Sequence, residues 1–408
     1  MNTLTGNELS ITFLSLFLLL TFSFVCGKIF EWIKAPKVVG EIVGGMFLGG
    51  SCIGLLFPEV FDSIFNGFAE QGKVLNIFYQ LGLVFLMFSS GFNTTISITK
   101  QNAKNYILLF IGATIFPMIL GIPFIKLFES NFIGFANNKL AFSLVFLISV
   151  AITSIPVISK IFFDIGMMNT KYSNMILTVS TLQDLCLWIL LNLSISVIET
   201  GNFEIVNFIF TTILTVGLLI GAKFIEIIFE KKNIKITKNI QSISFLVIFI
   251  TVFALSKLNI NIMYSAFVAG YIMKSMVEQD SVEIKGIKDF SMHLFVPIYF
   301  ALVGIQLDVV HNFSVLRFLL FFVIAFGLEF VGTVGTMWFT EFNKKIVFSF
   351  GITMNARGGP GIVLATTAFA YQIINIEFFT VLILTTMLSS MIAGYWLRNT
   401  KEEIKDLK

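Results

Sequence analysis

Asp184 stands in VSTLQDLCLW (179–188), a carboxylate among residues that otherwise suit hydrocarbon. An ionised Asp at the centre of a membrane helix costs about 2.5–3.5 kcal/mol on insertion scales, so its presence implies a function by default. Thr181 at i−3 and Ser180 at i−4 share its side of a helix and Gln183 precedes it, so oxygen atoms can gather beside the carboxylate. The chemistry open to such a group is the competition of a proton and a metal cation for one carboxylate. The plainer alternative is a protonated Asp hydrogen-bonded within a bundle. Two other stretches carry helix breakers: AITSIPVISK places Thr153 and Ser154 ahead of Pro156, and MNARGGPGIV carries Arg357 followed by Gly358, Gly359, Pro360 and Gly361. Unwound backbone at membrane depth is tolerated only where protein buries it or a wet cavity receives it. A pair of such breaks points to a shared substrate site, against kinks that only help packing.

The elements that hold these residues follow from composition. Of 408 residues 56% are hydrophobic and 12% charged, 49 are phenylalanine, and the mean hydropathy is +0.92. That balance belongs to an integral membrane protein. Apolar runs near the length a helix needs to cross about 30 Å of hydrocarbon recur throughout. They number thirteen, at 9–30, 38–57, 74–91, 106–127, 140–163, 175–198, 205–229, 240–255, 260–273, 290–307, 316–339, 346–373 and 378–397. The first has neither a basic region before it nor a small-residue cleavage site after it and reads as a retained helix.

Charge placement orients the chain. Alternate connections, beginning after the first span, hold 21 of the 27 lysines and arginines. Positive charge marks the cytoplasmic side, so the N-terminus is expected outside and the C-terminus inside, in the cytoplasmic membrane of the cell. No basic patch with interleaved aromatics suggests nucleic acid, and no cofactor is expected. Cys26, Cys52 and Cys186 lack metal or redox spacing and read as small core residues. With the seventh span as a linker, the remaining spans form two sets of six that enter from opposite sides. This inverted topology is usual in secondary transporters, and the two breaks fall in the fifth span of each set.

The remaining ionisable residues have two readings each. Glu329 could form a buried pair with Arg357, or face a cavity as a second protonatable group. Arg357 could instead neutralise the negative C-terminal ends of half-helices. Glu41, near the cytoplasmic end of the second span and among glycines, reads as an interfacial or helix-packing group, with a ligand as its second reading. Asp164, Asp308 and His293 lie near interfaces and are not expected as ligands, and Trp188 and the phenylalanines read as lipid-facing or core filler.

Five stretches in order carry a resemblance: APKVVGEIVGGMFLGG (35–50), TSIPVISKIFFDIG (153–166), the mid-helix Asp motif, FVPIYFALVGIQLD (295–308) and the RGG of the last broken helix. Together they resemble the cation/proton antiporter superfamily, the sodium/hydrogen exchangers, in the branch of Kef-type exchangers. The resemblance implies an all-α NhaA-like antiporter fold of about thirteen transmembrane helices, with six-helix inverted repeats and two discontinuous crossing helices. It implies a homodimer in which helices of about 9–91 and 240–307 form the scaffold, 106–198 and 316–397 a mobile core, and 205–229 a linker. It makes Asp184 the essential ion- and proton-binding carboxylate, with the Thr153–Ser154 break as neighbour. Joined to the residue readings above, the expected site holds a monovalent cation (K⁺ or Na⁺) at Asp184, with Gln183, Thr153, Ser154 and Thr181 around it and Glu329 and Arg357 as supporting core charges.

Two departures bear on mechanism. Where the family often has Asp-Asp or Asn-Asp, this chain has Gln183–Asp184, which lowers the charge of the site and suits exchange of one proton for one monovalent cation. Many members have a lysine in the stretch that here reads AFGLEFVGTV (325–334), where Glu329 is the ionisable residue; its loss argues for electroneutral exchange or a changed mechanism. Kef-type chains often continue into a nucleotide-binding domain, and this sequence is expected to lack one. Other classes fit less well. An intramembrane aspartyl protease needs a second catalytic Asp that the pattern does not supply. An organic-anion symporter on a similar fold, or an uncoupled sensor on a degenerate antiporter scaffold, stay open beside the antiporter.

Overall fold

The computed structural model describes residues 3–93, 103–167, 170–200, 205–231, 236, 238–258, 260, 262–277, 281–307, 309–311 and 313–405. Lys100, Lys232, Lys235 and Lys408, used above for orientation, and Asp308 lie outside them. The described chain is helical, with one isolated bridge between Ile133 and Ile374. In order the helices are α1 (Gly6–Trp32), α2 (Lys37–Leu48) and α3 (Gln71–Asn93). There follow α4 (Ala103–Phe132), α5 (Lys139–Ser149), α6 (Ile155–Asp164), α7 (Lys171–Thr200) and α8 (Ile205–Lys231). Next come α9 (Ile240–Ser256), α10 (Ile262–Met276), α11 (Val282–Ile305) and α12 (Val315–Met337). The last are α13 (Lys344–Met354), α14 (Gly359–Ala370) and α15 (Ile376–Lys405).

Among the described residues eight helices are long and apolar enough to cross a bilayer. The expected thirteen runs are therefore not thirteen uninterrupted crossing helices. The run at 140–163 is two helices, α5 and α6, parted at 150–154, and that at 346–373 is α13 and α14, parted at 355–358. No half is long enough to cross alone. The run at 38–57 is regular helix to Leu48 and resumes in the four-residue turn Ile53–Leu56; taken together, Lys37–Leu56 is one of the eight. Of the cysteines, Cys26 is buried as expected of a core residue, whereas Cys52 and Cys186 are half-exposed.

Helix ends are set by local chemistry. Thr5 and Glu8 form a capping box at the start of α1, the Thr5 amide donating to Glu8 Oε2 at 2.7 Å. Asn138 accepts from the Ala141 amide at 3.0 Å to begin α5, and Ser314 and Asn343 cap α12 and α13 in the same way. In α4 the chain passes through a π-turn at Ile111–Ile115 just before Pro117, and a 3₁₀ turn at Ile122–Phe124 that contains Pro123. Proline has no N–H, so the carbonyl four residues before it loses its helical partner.

Two compact units divide the chain, Met1–Asn93 with Ile213–His311, and Thr94–Thr212 with Asn312–Lys408, the division falling within α8. The first is built on close helix contacts that lack of side chains permits: a Cβ at Gly45 would overlap the backbone of Ala301 on α11, and one at Gly304 the backbone of Ile42 on α2. In the same unit Glu41 is buried and its carboxylate lies 3.0 Å from Lys37 Nζ one turn earlier. The second unit carries Asp184, Glu329 and Arg357. Its α5 is braced by an aromatic stack in which Phe146 packs on Phe128, Phe321 and Phe378, and Phe132 lies 4.5 Å from Phe378 between ring centroids.

Candidate ion-binding site

The two breaks meet within the second unit. The Ser154 amide donates to the Ala356 carbonyl at 2.6 Å, and the Thr153 hydroxyl lies 2.5 Å from the Met354 carbonyl. Each break is followed by a proline at the second residue of the next helix, Pro156 in α6 and Pro360 in α14. There a missing N–H leaves no gap, because first-turn amides have no helical partner. Pro156, marked in the sequence as a helix breaker, does not interrupt a helix by removing an interior bond: α5 ends at Ser149, and the proline opens the following half-helix. The Ser154 hydroxyl accepts from the Val157 amide at 3.4 Å at that start.

Gly358 is required where the breaks cross. A Cβ there would lie inside the van der Waals envelope of Val157 and 2.6 Å from Ser154 Oγ. Gly358→Ala is expected to lower stability by about 1–3 kcal/mol, the usual cost of overpacking. Gly335→Ala on α12, where nothing stands within 4 Å of the added carbon, should be near neutral. Thermal unfolding of the two purified variants compares them; equal midpoints would show that the crossing can relax.

Arg357, 1% exposed, satisfies what the first break leaves open. Its Nη1 donates to the Ser149 carbonyl at 2.6 Å and its Nη2 lies 3.3 Å from that of Val150, both at the C-terminal end of α5. Nη2 also donates to the Ala325 carbonyl at 2.8 Å and pairs with Glu329 Oε2 at 3.0 Å, with Asn355 Oδ1 3.4 Å away. The two readings of Arg357 therefore coexist: it faces the negative end of a half-helix and is paired with a buried carboxylate. Of the two arrangements open to Glu329, the structure has the ion pair. Glu329 is fully buried and its second oxygen lies 3.2 Å from Thr153 Oγ1.

Gln183 is also committed on one side. Its Nε2 donates to the carbonyl of Ala113 at 3.0 Å and to that of Ala151 in the first break. Ala113 lies four residues before Pro117 and so is the carbonyl which that proline orphans. Gln183 Oε1 is buried without a protein partner. The amide thus ties α7 to the bulge of α4 and to the break, leaving its oxygen open.

Asp184 differs from every charged neighbour. It is 2% exposed, and its Oδ1 has no hydrogen-bond partner. It lines a cavity of about 10 Å³ with Ile148, Ile152, Leu187, Trp188, Pro360 and Leu364 among its walls, room for about one water-sized species. Ser180, one turn earlier on the same face, also has a buried hydroxyl without a partner. Thr181 instead bonds back to the Leu177 carbonyl at 2.9 Å. The structure therefore brings Asp184 to the first break through Ile152 and, through Pro360, to the start of the half-helix that follows the second. It gives the Thr153 hydroxyl to Glu329 and Met354 and the Ser154 hydroxyl to a helix start, and neither residue lines this cavity.

A family model described as the transmembrane sodium/hydrogen exchanger matches residues 17–400. The chain belongs to that family. Among its relatives is the Na⁺/H⁺ antiporter NhaS4 of Synechocystis, 24% identical, with 95% of this chain and 96% of that protein covered. Another is K⁺/H⁺ antiporter 1 of Saccharomyces cerevisiae, 23% identical over 90% of this chain; the chain spans only 44% of that longer protein. In fold the chain is similar to the sodium proton antiporter MjNhaP1 of Methanocaldococcus jannaschii, with a TM-score of 0.66, 15% identity, and 98% and 99% of the two chains covered. The sodium/hydrogen exchanger family is one of transporters, and this member is a multi-pass membrane protein with the NhaA-like antiporter fold.

Sequence reasoning missed three contributors. Trp188, read as filler, walls the Asp184 cavity one turn beyond the carboxylate. Asn355 faces Arg357 and donates to the Gly351 carbonyl at 2.9 Å. Pro117 frees the carbonyl that Gln183 takes; a proline inside a predicted span was the signal for an orphaned acceptor, although nothing local names its donor.

Proposed function

We propose that this protein exchanges a monovalent cation, Na⁺ or K⁺, for protons across the cytoplasmic membrane, with Asp184 binding the two in turn. The observation that carries the reading is the Asp184 carboxylate: buried, unpartnered at Oδ1, and in a water-sized cavity walled by the first helix break and by the half-helix that follows the second. A charge so placed is balanced by whatever binds it. Glu329 and Arg357 already neutralise each other, so the site has one uncompensated unit of charge. Loaded with either one proton or one monovalent cation it is neutral, and exchange is electroneutral. Membership of the sodium/hydrogen exchanger family, and relatives named for both Na⁺ and K⁺, support the cation class.

The unit that carries Asp184 acts as the moving core and the other as the scaffold of a homodimer, with the N-terminus outside and the C-terminus in the cytoplasm. Both units are compact in themselves, as bodies that move by rigid displacement must be. The test is reconstitution into liposomes containing a pH dye, with Na⁺, K⁺, Li⁺ and Rb⁺ added in turn. Cation-driven proton flux is expected for at least one of Na⁺ and K⁺, and its absence under every gradient would overturn the reading. Because proton and cation share one carboxylate, the cation concentration for half-maximal flux should rise as pH falls. A value independent of pH would mean that the two bind at different groups.

A further inference from the structure

On the far side of two walls of the Asp184 cavity lies a second space. It is also about 10 Å³, and its lining includes Ser149, Arg357, Gly361, Thr385 and Thr386. Ile152, from the first break, and Leu364, from α14, line both cavities. Into one comes Arg357, whose Nε–H is buried without a protein partner; into the other comes Asp184, whose Oδ1 is likewise unpartnered. A buried cationic donor and a buried anionic acceptor attract strongly at low dielectric. A guanidinium matches a carboxylate in geometry as well as charge. Yet Arg357 spends its Nη atoms on Glu329 and three carbonyls, and Asp184 is left alone.

We infer that Ile152 and Leu364 form an apolar partition that keeps the positive charge of Arg357 off Asp184, so that the carboxylate stays free for a transported cation. They are positioning residues: neither side chain has an atom that can ligate a cation, and they act by what they keep apart. The breaks make this possible. Ile152 sits in unwound backbone one residue from Thr153, which is anchored to the Glu329 pair, and Leu364 lies a turn beyond Pro360 on a half-helix with no side chain at Gly361. The fold can therefore hold a fixed positive charge beside the first half-helix's negative end without that charge occupying the ion site.

The inference rests on Asp184 as the exchanged carboxylate, and the test separates the two claims. Wild-type protein in liposomes first reports whether cation-driven proton flux exists; its absence sinks the proposed function. With flux established, Leu364→Ala joins the two cavities and removes the steric bar that keeps the Arg357 Nε–H and the Asp184 carboxylate from pairing directly or through a water. The cation concentration for half-maximal flux is expected to rise about tenfold at fixed pH, a change of about 1.4 kcal/mol in binding. Leu364→Met, which refills the volume with apolar atoms, should restore it. Ile362→Ala, a buried residue of the same half-helix that lines neither cavity, should leave it unchanged. If Leu364→Ala does not fold, the milder Ile152→Val and Leu364→Val are measured, with a smaller rise expected. An unchanged or lower half-saturation value in the folded partition variants overturns the inference, as does an equal rise in Ile362→Ala. A role in packing alone would lower the maximal rate and leave half-saturation where it was.

Discussion

Asp184→Asn is expected to abolish cation-driven proton flux, down to the level of empty liposomes, while the protein still folds. Asparagine matches the carboxylate in size and keeps an oxygen towards the cavity. It can neither take up and release a proton nor balance the charge of a cation. Folding should survive because Asp184 Oδ1 bonds to nothing in the protein, so no partner is stranded, and the change removes a charge whose burial is itself unfavourable. Size-exclusion behaviour and the thermal midpoint report the fold, and the pH-dye assay with Na⁺ and K⁺ reports transport. Flux retained in well-folded Asp184→Asn would place the ion elsewhere. An unfolded Asp184→Asn would show that the carboxylate has a structural partner.

The second large effect concerns stability. Glu329→Gln leaves the Arg357 guanidinium buried opposite a neutral amide. Breaking a buried pair by removing one partner costs about 3–5 kcal/mol, and a sharp fall in thermal midpoint is expected. Glu329 and Arg357 are in direct contact at 3.0 Å, so the two sites must couple. The double variant Glu329→Gln with Arg357→Gln should recover much of the loss, although incompletely, because Arg357 also donates to the carbonyls of Ser149 and Ala325. Midpoints for the wild type, both single variants and the double variant give the coupling directly. Additive losses would mean that the pair contributes nothing as a pair. Current measured on a solid-supported membrane adds a separate reading: if Glu329 carried a second proton, its replacement would change the charge moved per cycle, whereas as a paired group it should leave exchange electroneutral.

Much of this molecule was legible in one dimension. Hydropathy is a local property, so runs of apolar residues marked where the chain lies in the membrane, and the lysine bias gave an expected orientation. Helix breakers are local too: Pro156 and the Gly358–Gly361 run marked the two interruptions to within a few residues, because a missing amide hydrogen or a missing Cβ acts on its own turn. Where the helix stops was less clear. The first break lies at 150–154, ahead of its proline, because a proline is cheaper in the first turn of a half-helix than in the middle of a whole one. The eight crossing helices among the described residues fall short of thirteen runs in part because two of those runs are the broken helices that the breakers had marked.

The sequence by itself determined that a carboxylate sits at membrane depth, that hydroxyls and helix breakers lie near it along the chain, and that Glu329 and Arg357 need a partner or water. Only the tertiary structure decided which groups meet. Thr153 and Met354 are 201 residues apart, and Gln183 reaches Ala113 across 70; both bonds join atoms whose need was readable from sequence and whose partners were not. The hydroxyls expected around Asp184 went largely to other acceptors and donors, because a buried polar atom takes the nearest geometry that satisfies it. What remained unsatisfied at Asp184 was decided last. Ile152 and Leu364, two ordinary apolar residues with no signal in the sequence, wall both the cavity of the carboxylate and that of the guanidinium and keep the two from pairing, and only packing in three dimensions puts them there.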